Sequence, residues 1–283
     1  THIKILMDNS KRNAYMMKKI KKVGRRAAWT MVNQMSKGRF EPYDFEMKLP
    51  PIVLDLGEYG TIELTGQIDR VDILDENEKT YVKIIDYKSR EKKFSLSDAY
   101  NGLDIQLIVY LESVLEHLPS LKKTKAYPAG AFYFPIVDKL IESDLTDVEE
   151  IEKQIAGKLK MQGIVLKDIN IIKAIDADIE NEGSVIDVRV KDEDIKSENA
   201  LSEEEFTALL DHVMELVKDM SKEILAGNIS IHPYSDKQKA QCSYCEYSSM
   251  CKFDTLFEGN THKTVKALKD KEVKELLMKK EGI

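Results

Sequence analysis

Long apolar runs are missing from this 283-residue sequence. The longest, such as Gly130 to Val137, falls far short of the roughly 20 residues a membrane helix needs, and no signal-like apolar segment follows the start. No membrane partner is expected. Cysteine is scarce and confined: the three present all lie between Cys242 and Cys251, so they cannot pair completely. That argues against a secreted disulfide framework and for a reducing compartment, the cytoplasm. There is no Walker-type phosphate loop, so any ATP hydrolysis belongs elsewhere. Internal repeats and low-complexity linkers are absent too. The first residue is Thr1 and not Met, which points to a piece of something longer. What remains is the composition of a globular protein, 42% apolar and 33% charged, with length for one large domain or two modest ones.

Acidic residues are missing from Asn9 to Phe40, where Lys11, Arg12, Lys18, Lys19, Lys21, Lys22, Arg25, Arg26, Lys37 and Arg39 supply ten positive charges. Removing these from the 43 basic residues leaves 33 against 50 acidic ones, a balance of -17, although the whole chain is only at -7. The basic stretch reads equally as a solvated helix face, a face docked on an acidic partner, or a phosphate-tracking surface.

Periodicity divides the chain further. Ala14, Met17, Ile20, Val23, Ala27, Ala28 and Met31 recur at helical spacing and predict one amphipathic helix from Ser10 to about Met35, closed by Gly38 and Pro42. Short alternating runs then predict strands around Phe45 and Met47, over Ile52 to Leu54, Thr61 to Ile73 and Thr80 to Tyr87, with a polar turn at Asp75 to Lys79. A helix capped by Ser97 is expected to reach His117 and stop at Pro119, followed by a strand over Tyr127 to Val137. Helices are expected over 144–162 and 202–226, the second opened by a capping box of Ser202 with Glu205 and ended by Gly227. The fold class expected is α/β, a mixed central sheet flanked by helices. The division expected is a basic helix over 1–40, a core over 41–228, an irregular cysteine lobe over 229–258 and a closing helix over 259–283.

The informative residues fall on two neighbouring strands, Gly66-Gln67-Ile68-Asp69-Arg70 and Ile85-Asp86-Tyr87-Lys88-Ser89. Asp86 and Lys88 are two apart, so a strand puts both on one face. They continue the face of Val82 and Ile84, where unpaired charge is costly. With Asp69 from the adjacent strand they make a site for a hard divalent cation, with Lys88 beside it to stabilise developing negative charge. A surface ion pair is the plain alternative. Gln106 and Tyr110, four apart on the next helix, can turn polar tips toward the strand ends.

In order and spacing, Gly66 to Arg70, Ile85 to Ser89 and Gln106 to Tyr110 resemble the motifs of RecB-like nucleases of the PD-(D/E)xK superfamily. The likeness is strongest to the C-terminal nuclease domains of AddAB-type helicase–nucleases, and includes the basic leading helix and the trailing cysteines. It implies a restriction-endonuclease-like core, metal ligation of Mg²⁺ or Mn²⁺ by Asp69 and Asp86, a catalytic Lys88, and support from Gln106 and Tyr110. It also implies an exonuclease acting on single-stranded DNA in double-strand break repair and recombination, with an AddA-type helicase as partner. Such sites often carry a His ahead of the first Asp; only His2 precedes Asp69 here, and Glu46 is the candidate for an extra carboxylate. A catalytically silent assembly module and a stand-alone nuclease of CRISPR adaptation are the alternatives.

Cys242-x-x-Cys245 followed by Cys251, set among polar residues, reads as a ligand cluster. The resemblance makes it three-quarters of a [4Fe-4S] site whose fourth cysteine lies upstream of the core and is absent from this chain. A Cys₃His zinc site using His232 or His262, and simple free thiols, remain open beside it.

Overall fold

The alternation between Phe45 and Lys88 becomes strands in the computed structural model, which describes residues 10–138, 147, 150–151, 154–155, 159–180, 185–235 and 241–280. Helix α1 (Lys11–Lys37) leads into β1 (Glu41–Lys48), β2 (Ile52–Asp55), β3 (Thr61–Leu64), β4 (Gln67–Glu76) and β5 (Lys79–Lys88). The run expected from Thr61 to Ile73 is thus two strands, broken at Thr65 and Gly66. Gly66 has to be bare: a Cβ there would sit 2.9 Å from Leu49 and 3.0 Å from the Tyr110 ring. Between β4 and β5 the turn is Asn77–Glu78, both at positive φ, 52° and 61°. That conformation carries the twist of a tight two-residue hairpin. It sets the register Asp75 opposite Thr80, Asp72 opposite Lys83 and Arg70 opposite Ile85.

Helices α2 (Leu96–Tyr100) and α3 (Gln106–Lys122) follow, then β6 (Lys125–Pro135), which returns parallel to β5. Where one helix was expected there are two. Ser95, not Ser97, provides the cap, accepting the Asp98 N–H at 3.1 Å, while the Ser97 hydroxyl accepts the Leu268 N–H at 3.0 Å. Gly102 at φ 77° turns the chain between the helices. Pro119 does not stop α3, because in the last turn it forfeits a single backbone bond while Leu118, 1% exposed, anchors that turn in the core.

The chain continues through β7 (Gln162–Leu166), α4 (Ile169–Ile175), the short pair β8 (Val190–Lys191) and β9 (Asp194–Ile195), β10 (Ala200–Leu201) and α5 (Glu203–Leu225). Six of the described strands form a mixed sheet in the order β1-β4-β5-β6-β7-β10, while β2 with β3 and β8 with β9 form separate two-stranded sheets. Leu107, Ile108, Leu111 and Val114 of α3 cover the face of Val82 and Ile84, all fully buried. The capping box on α5 is present, Ser202 and Glu205 bonding reciprocally. Short α6 (Ser248–Cys251) and the closing α7 (Asp270–Lys280) complete the described elements. The helix expected over 144–162 falls largely outside the described residues, and Gln162 itself opens a strand. Among the described residues no helix is long and apolar enough to cross a membrane.

On the opposite face of the hairpin the core takes in charge. Arg70 grips Asp72 through Nε at 2.5 Å and Nη2 at 2.7 Å, and Lys83 Nζ reaches the same carboxylate at 2.9 Å. Asp72 is fully buried, and Lys83 lies 5.0 Å from the Phe40 ring. Burial pulls the Lys83 ammonium below the usual lysine range, and Asp72 opposes that shift. Removing one partner of such a group strands the others in the core. Asp72→Ala is expected to lower unfolding stability by about 3–5 kcal/mol in denaturant titration. Lys122→Ala, which breaks the exposed pair with Asp75 and leaves that carboxylate its bond from Thr80, should cost under about 1 kcal/mol.

Candidate active site

β4 and β5 stop pairing at Arg70 and Ile85, and the site lies just beyond, where the two strands part. Asp69 is the next residue of β4 toward this end and Asp86 the next of β5, on the face covered by α3. The Asp69 carboxylate accepts the Tyr87 backbone N–H at 2.6 Å, capping a peptide group the ladder leaves open. Asp86 is only 4% exposed, so the surface ion-pair reading does not hold for it. Lys88, on the same face two residues later, brings its ammonium to 2.6 Å from Asp86 Oδ2.

Gln106 joins the strands to the helix. As the first residue of α3 it donates from Nε2 to Asp86 Oδ1 at 3.0 Å and to the Tyr110 hydroxyl at 3.1 Å, while Oε1 accepts from Lys88 at 3.0 Å. The four-residue spacing lets one amide orient both a carboxylate and a lysine. Thus Asp86, Lys88, Gln106 and Tyr110 form one connected polar chain, with Asp69 one strand away. A groove lined by Leu64, Thr65, Ile105 and Val109 opens alongside Gln106 and Tyr110. Glu46 is not drawn in: its carboxylate accepts the Gln67 side-chain amide at 2.6 Å.

Burial pushes the Asp86 carboxyl above the usual carboxylate range; Lys88 counters this and the nearby Asp69 charge adds to it. Asp86 Oδ2 is sealed from solvent and accepts no hydrogen bond of good geometry, its close neighbour being the Lys88 ammonium. A buried carboxylate whose Oδ2 meets only the Lys88 ammonium, with the Asp69 carboxylate on the neighbouring strand, is a donor set that fits a hard divalent cation once Lys88 gives way. The carboxylates number only two: among the described residues no group of three or more His, Cys, Asp or Glu is assembled for a metal.

Three further residues at the site carry no sequence signature. Lys92 donates to Asp104 at 2.8 Å and to the Tyr133 hydroxyl at 2.9 Å, and that hydroxyl donates to Asp104 at 2.6 Å. The ring of Tyr133, fully buried, lies 5.2 Å from the Lys88 ammonium and 4.2 Å from that of Lys92. Burial and the Asp104 charge push the Tyr133 hydroxyl well up, so it stays protonated. Lys92 hides in the charged run Arg90 to Lys93, which reads as surface. The available signal was pairing, since Tyr133 stands opposite Asp86 across the parallel β5–β6 ladder.

Cys242 is partly buried and Cys245 and Cys251 are exposed, all as free thiols. Three cysteines are one ligand short of a four-cysteine cluster, and the described residues do not gather them at one point. His262 packs its ring 5.0 Å from Phe253, with Nδ1 at 3.2 Å from the Pro233 carbonyl.

The model of the PD-(D/E)XK nuclease superfamily matches residues 4–252, and the chain belongs to that superfamily. Among curated relatives, the B-type subunit of the ATP-dependent helicase/deoxyribonuclease of Alkaliphilus oremlandii is 44% identical over 282 residues, covering 97% of this chain and 25% of the relative. The protein of the same name from Alkaliphilus metalliredigens is 43% identical over 283 residues, with 97% and 25% covered. That from Clostridium kluyveri is 37% identical over 279 residues, with 95% and 24% covered. The chain spans about a quarter of the length of the curated relatives it matches.

Because its folded pKa is raised, the ionised Asp86 costs stability as pH rises through that pKa; the cost disappears as pH falls toward the ordinary carboxylate range. Asp86→Asn is therefore expected to melt at or above the parent temperature at pH 7, with the difference shrinking on acidification, while losing metal-dependent activity. A variant that melts well below the parent at pH 7 would contradict the strained-carboxylate account. Lys92→Ala should lower kcat while Lys92→Arg retains most of it, read in steady-state assays.

Proposed function

We propose that this nuclease domain is a Mg²⁺- or Mn²⁺-dependent deoxyribonuclease that hydrolyses phosphodiester bonds of single-stranded DNA. Its setting in this reading is the cytoplasm, as part of a helicase–nuclease that works with an AddA-type helicase in double-strand break repair. The carrying observation is the chain Asp86–Lys88–Gln106–Tyr110 with Asp69 beside it. The name the relatives share supports the DNA substrate and the helicase context. A [4Fe-4S] cluster on Cys242, Cys245 and Cys251 belongs to this reading only for a longer protein that supplies the fourth ligand.

Asp69 and Asp86 would hold the cation, Asp86 through the buried Oδ2 that Lys88 now holds and Asp69 by sharing the carboxylate that now caps Tyr87. When bound, the ion supplies Lewis acidity and a more acidic water. Lys88 provides a fixed positive charge where negative charge develops on the phosphoryl oxygens. Gln106 keeps Lys88 and Asp86 in register with each other by bonding both. Tyr110 closes the chain and borders the groove in which a strand can lie.

Lys88→Met is expected to reduce kcat on a single-stranded oligonucleotide by about 10²–10³-fold. Metal affinity in this variant, followed by calorimetry, should persist and move to higher pH, because the cation that opposes the raised Asp86 pKa is gone. Asp69→Ala should weaken metal binding at every pH. Chelation should abolish activity and Mg²⁺ or Mn²⁺ restore it. Equal cleavage by the parent and Lys88→Met would refute the assignment.

A further inference from the structure

Helix α1 carries more charge than its packing uses. Its anchored part begins at Arg26, with Ala27, Thr30 and Gln34 buried. From Lys11 to Arg25 every residue is exposed except the half-buried Met17 and Val23. The apolar face expected for this helix is thus only half covered: Ile20 is 58% exposed and Met16 48%. The same segment holds Lys11, Arg12, Lys18, Lys19, Lys21, Lys22 and Arg25 with no acidic residue among them.

Its direction is fixed at two points. Arg39, just past the C-terminal end, pairs with Glu76 at 3.3 Å, at the turn end of the β4–β5 hairpin, far from Asp69 and Asp86. Arg26 pairs with Asp138 at 3.0 Å, three residues beyond Pro135, and Pro135 stands opposite Lys88 in the ladder. The Ile136 N–H donates to the Lys88 carbonyl at 2.8 Å. α1 therefore runs back along the hairpin toward the catalytic end. At 1.5 Å per residue, Lys11 to Arg25 continues about 22 Å beyond the Arg26 anchor.

Lys18, Lys22, Arg25 and Trp29 are spaced four, three and four apart, which places them on one helix face. Tyr15, 64% exposed, precedes them by less than a turn, and Trp29 is 47% exposed. Cations flanked by open aromatic rings suit a strand whose phosphates seek charge and whose bases seek stacking partners; an acidic protein surface needs only the cations.

We propose that this face of α1 is a binding surface for single-stranded nucleic acid, separate from the hydrolytic centre, with Lys18, Lys22 and Arg25 on the phosphates and Tyr15 and Trp29 as stacking platforms. It leads a strand toward the end of β5 where Asp86 and Lys88 lie. The purpose rests on the nuclease reading; the binding does not.

Trp29 is the sole tryptophan, so its fluorescence reports this face alone. Oligothymidylate titrated into the full 283-residue chain in EDTA should quench Trp29, with affinity falling as salt rises. In the triple variant Lys18→Gln, Lys22→Gln, Arg25→Gln the log–log salt slope should be shallower by roughly 2, at about 0.7 per lost phosphate contact on a single strand. Between about 50 and 200 mM salt that makes its loss of affinity about sixteenfold smaller than the parent's. Replacing the three by Arg, Arg and Lys should restore the slope, and Trp29→Leu, followed by anisotropy of labelled oligonucleotide, should weaken binding without changing it. An unquenched Trp29 in the parent, or an unchanged slope in the triple variant, would overturn the proposal, as would displacement of the oligonucleotide by polyglutamate of matched charge. Should Trp29 titrate as expected in a parent that cuts nothing, the strand surface stands and the nuclease reading fails. Should the parent cut and the triple variant bind with the parent's slope, the reverse holds.

Discussion

A carboxylate buried in a covered strand is the constraint around which the candidate site is organised. Asp86 occupies a position that Val82 and Ile84 define as core, and the cost of ionising it there is large unless its oxygens find partners. Lys88 and Gln106 provide them, and both are forced into place by Asp86: Lys88 by the two-residue period of the strand, Gln106 because α3 begins opposite the strand end. The site cannot move inward along β5, where no partner is within reach. Neither can it lie on the solvent side, where water would satisfy the carboxylate and remove the drive to gather anything around it. The buried Asp86 Oδ2, which Lys88 holds at 2.6 Å, is the oxygen a divalent cation would take over from the ammonium.

The opposite face of the same hairpin explains why Asp69 meets Asp86 at all. Side chains alternate along a strand, so a slip of one residue would turn Asp69 away from Asp86 and toward the far side. Arg70, Asp72 and Lys83 lock the register: Asp72 stands opposite Lys83 and the three charges satisfy one another only in that alignment. In a slipped pairing Asp72 would lose Lys83, and a cation would remain in an apolar interior. Arg70 also reaches Tyr87, where its charge opposes the upward push of burial on the phenol. Tyr87 is thereby held at two points, its hydroxyl by Arg70 and its backbone N–H by Asp69, and it carries Asp86 and Lys88 on either flank.

Much of this was legible because it obeys a local period. The strands from Phe45 to Lys88, the capping box at Ser202, and the shared face of Asp86 and Lys88 all follow from two- or four-residue spacing that a sequence displays directly. The helix expected from Ser97 to His117 broke where the period gave no warning. Leu103 and Ile105 continue an apolar pattern, but Gly102 turns the chain, and that break makes Gln106 the first residue of α3. Lys92, Asp104 and Tyr133 were illegible for a different reason. They come from a loop, an interhelical connection and a strand that meet only once β6 lies parallel to β5, and their residue types carry no signature apart from that meeting. The thiols were legible as a motif, yet the described residues give them no common point.

Tyr133 ties this second group to the first. Its ring lies 5.2 Å from the ammonium of Lys88 and 4.2 Å from that of Lys92, and its hydroxyl, kept protonated, donates to Asp104. Two cations are thus held near one carboxylate without both collapsing onto it: Lys92 is drawn aside by Asp104, Lys88 is held by Gln106, and the aromatic face stabilises each. Lys88 sits on Asp86 Oδ2 and has to give way to an arriving metal. Lys92 adds a weaker positive field at Asp86 without a second direct salt bridge. The polar network therefore does two opposed things at once. It opposes the upward push of burial on the Asp86 carboxyl, and it sets an ammonium on the very oxygen that a divalent ion would have to claim.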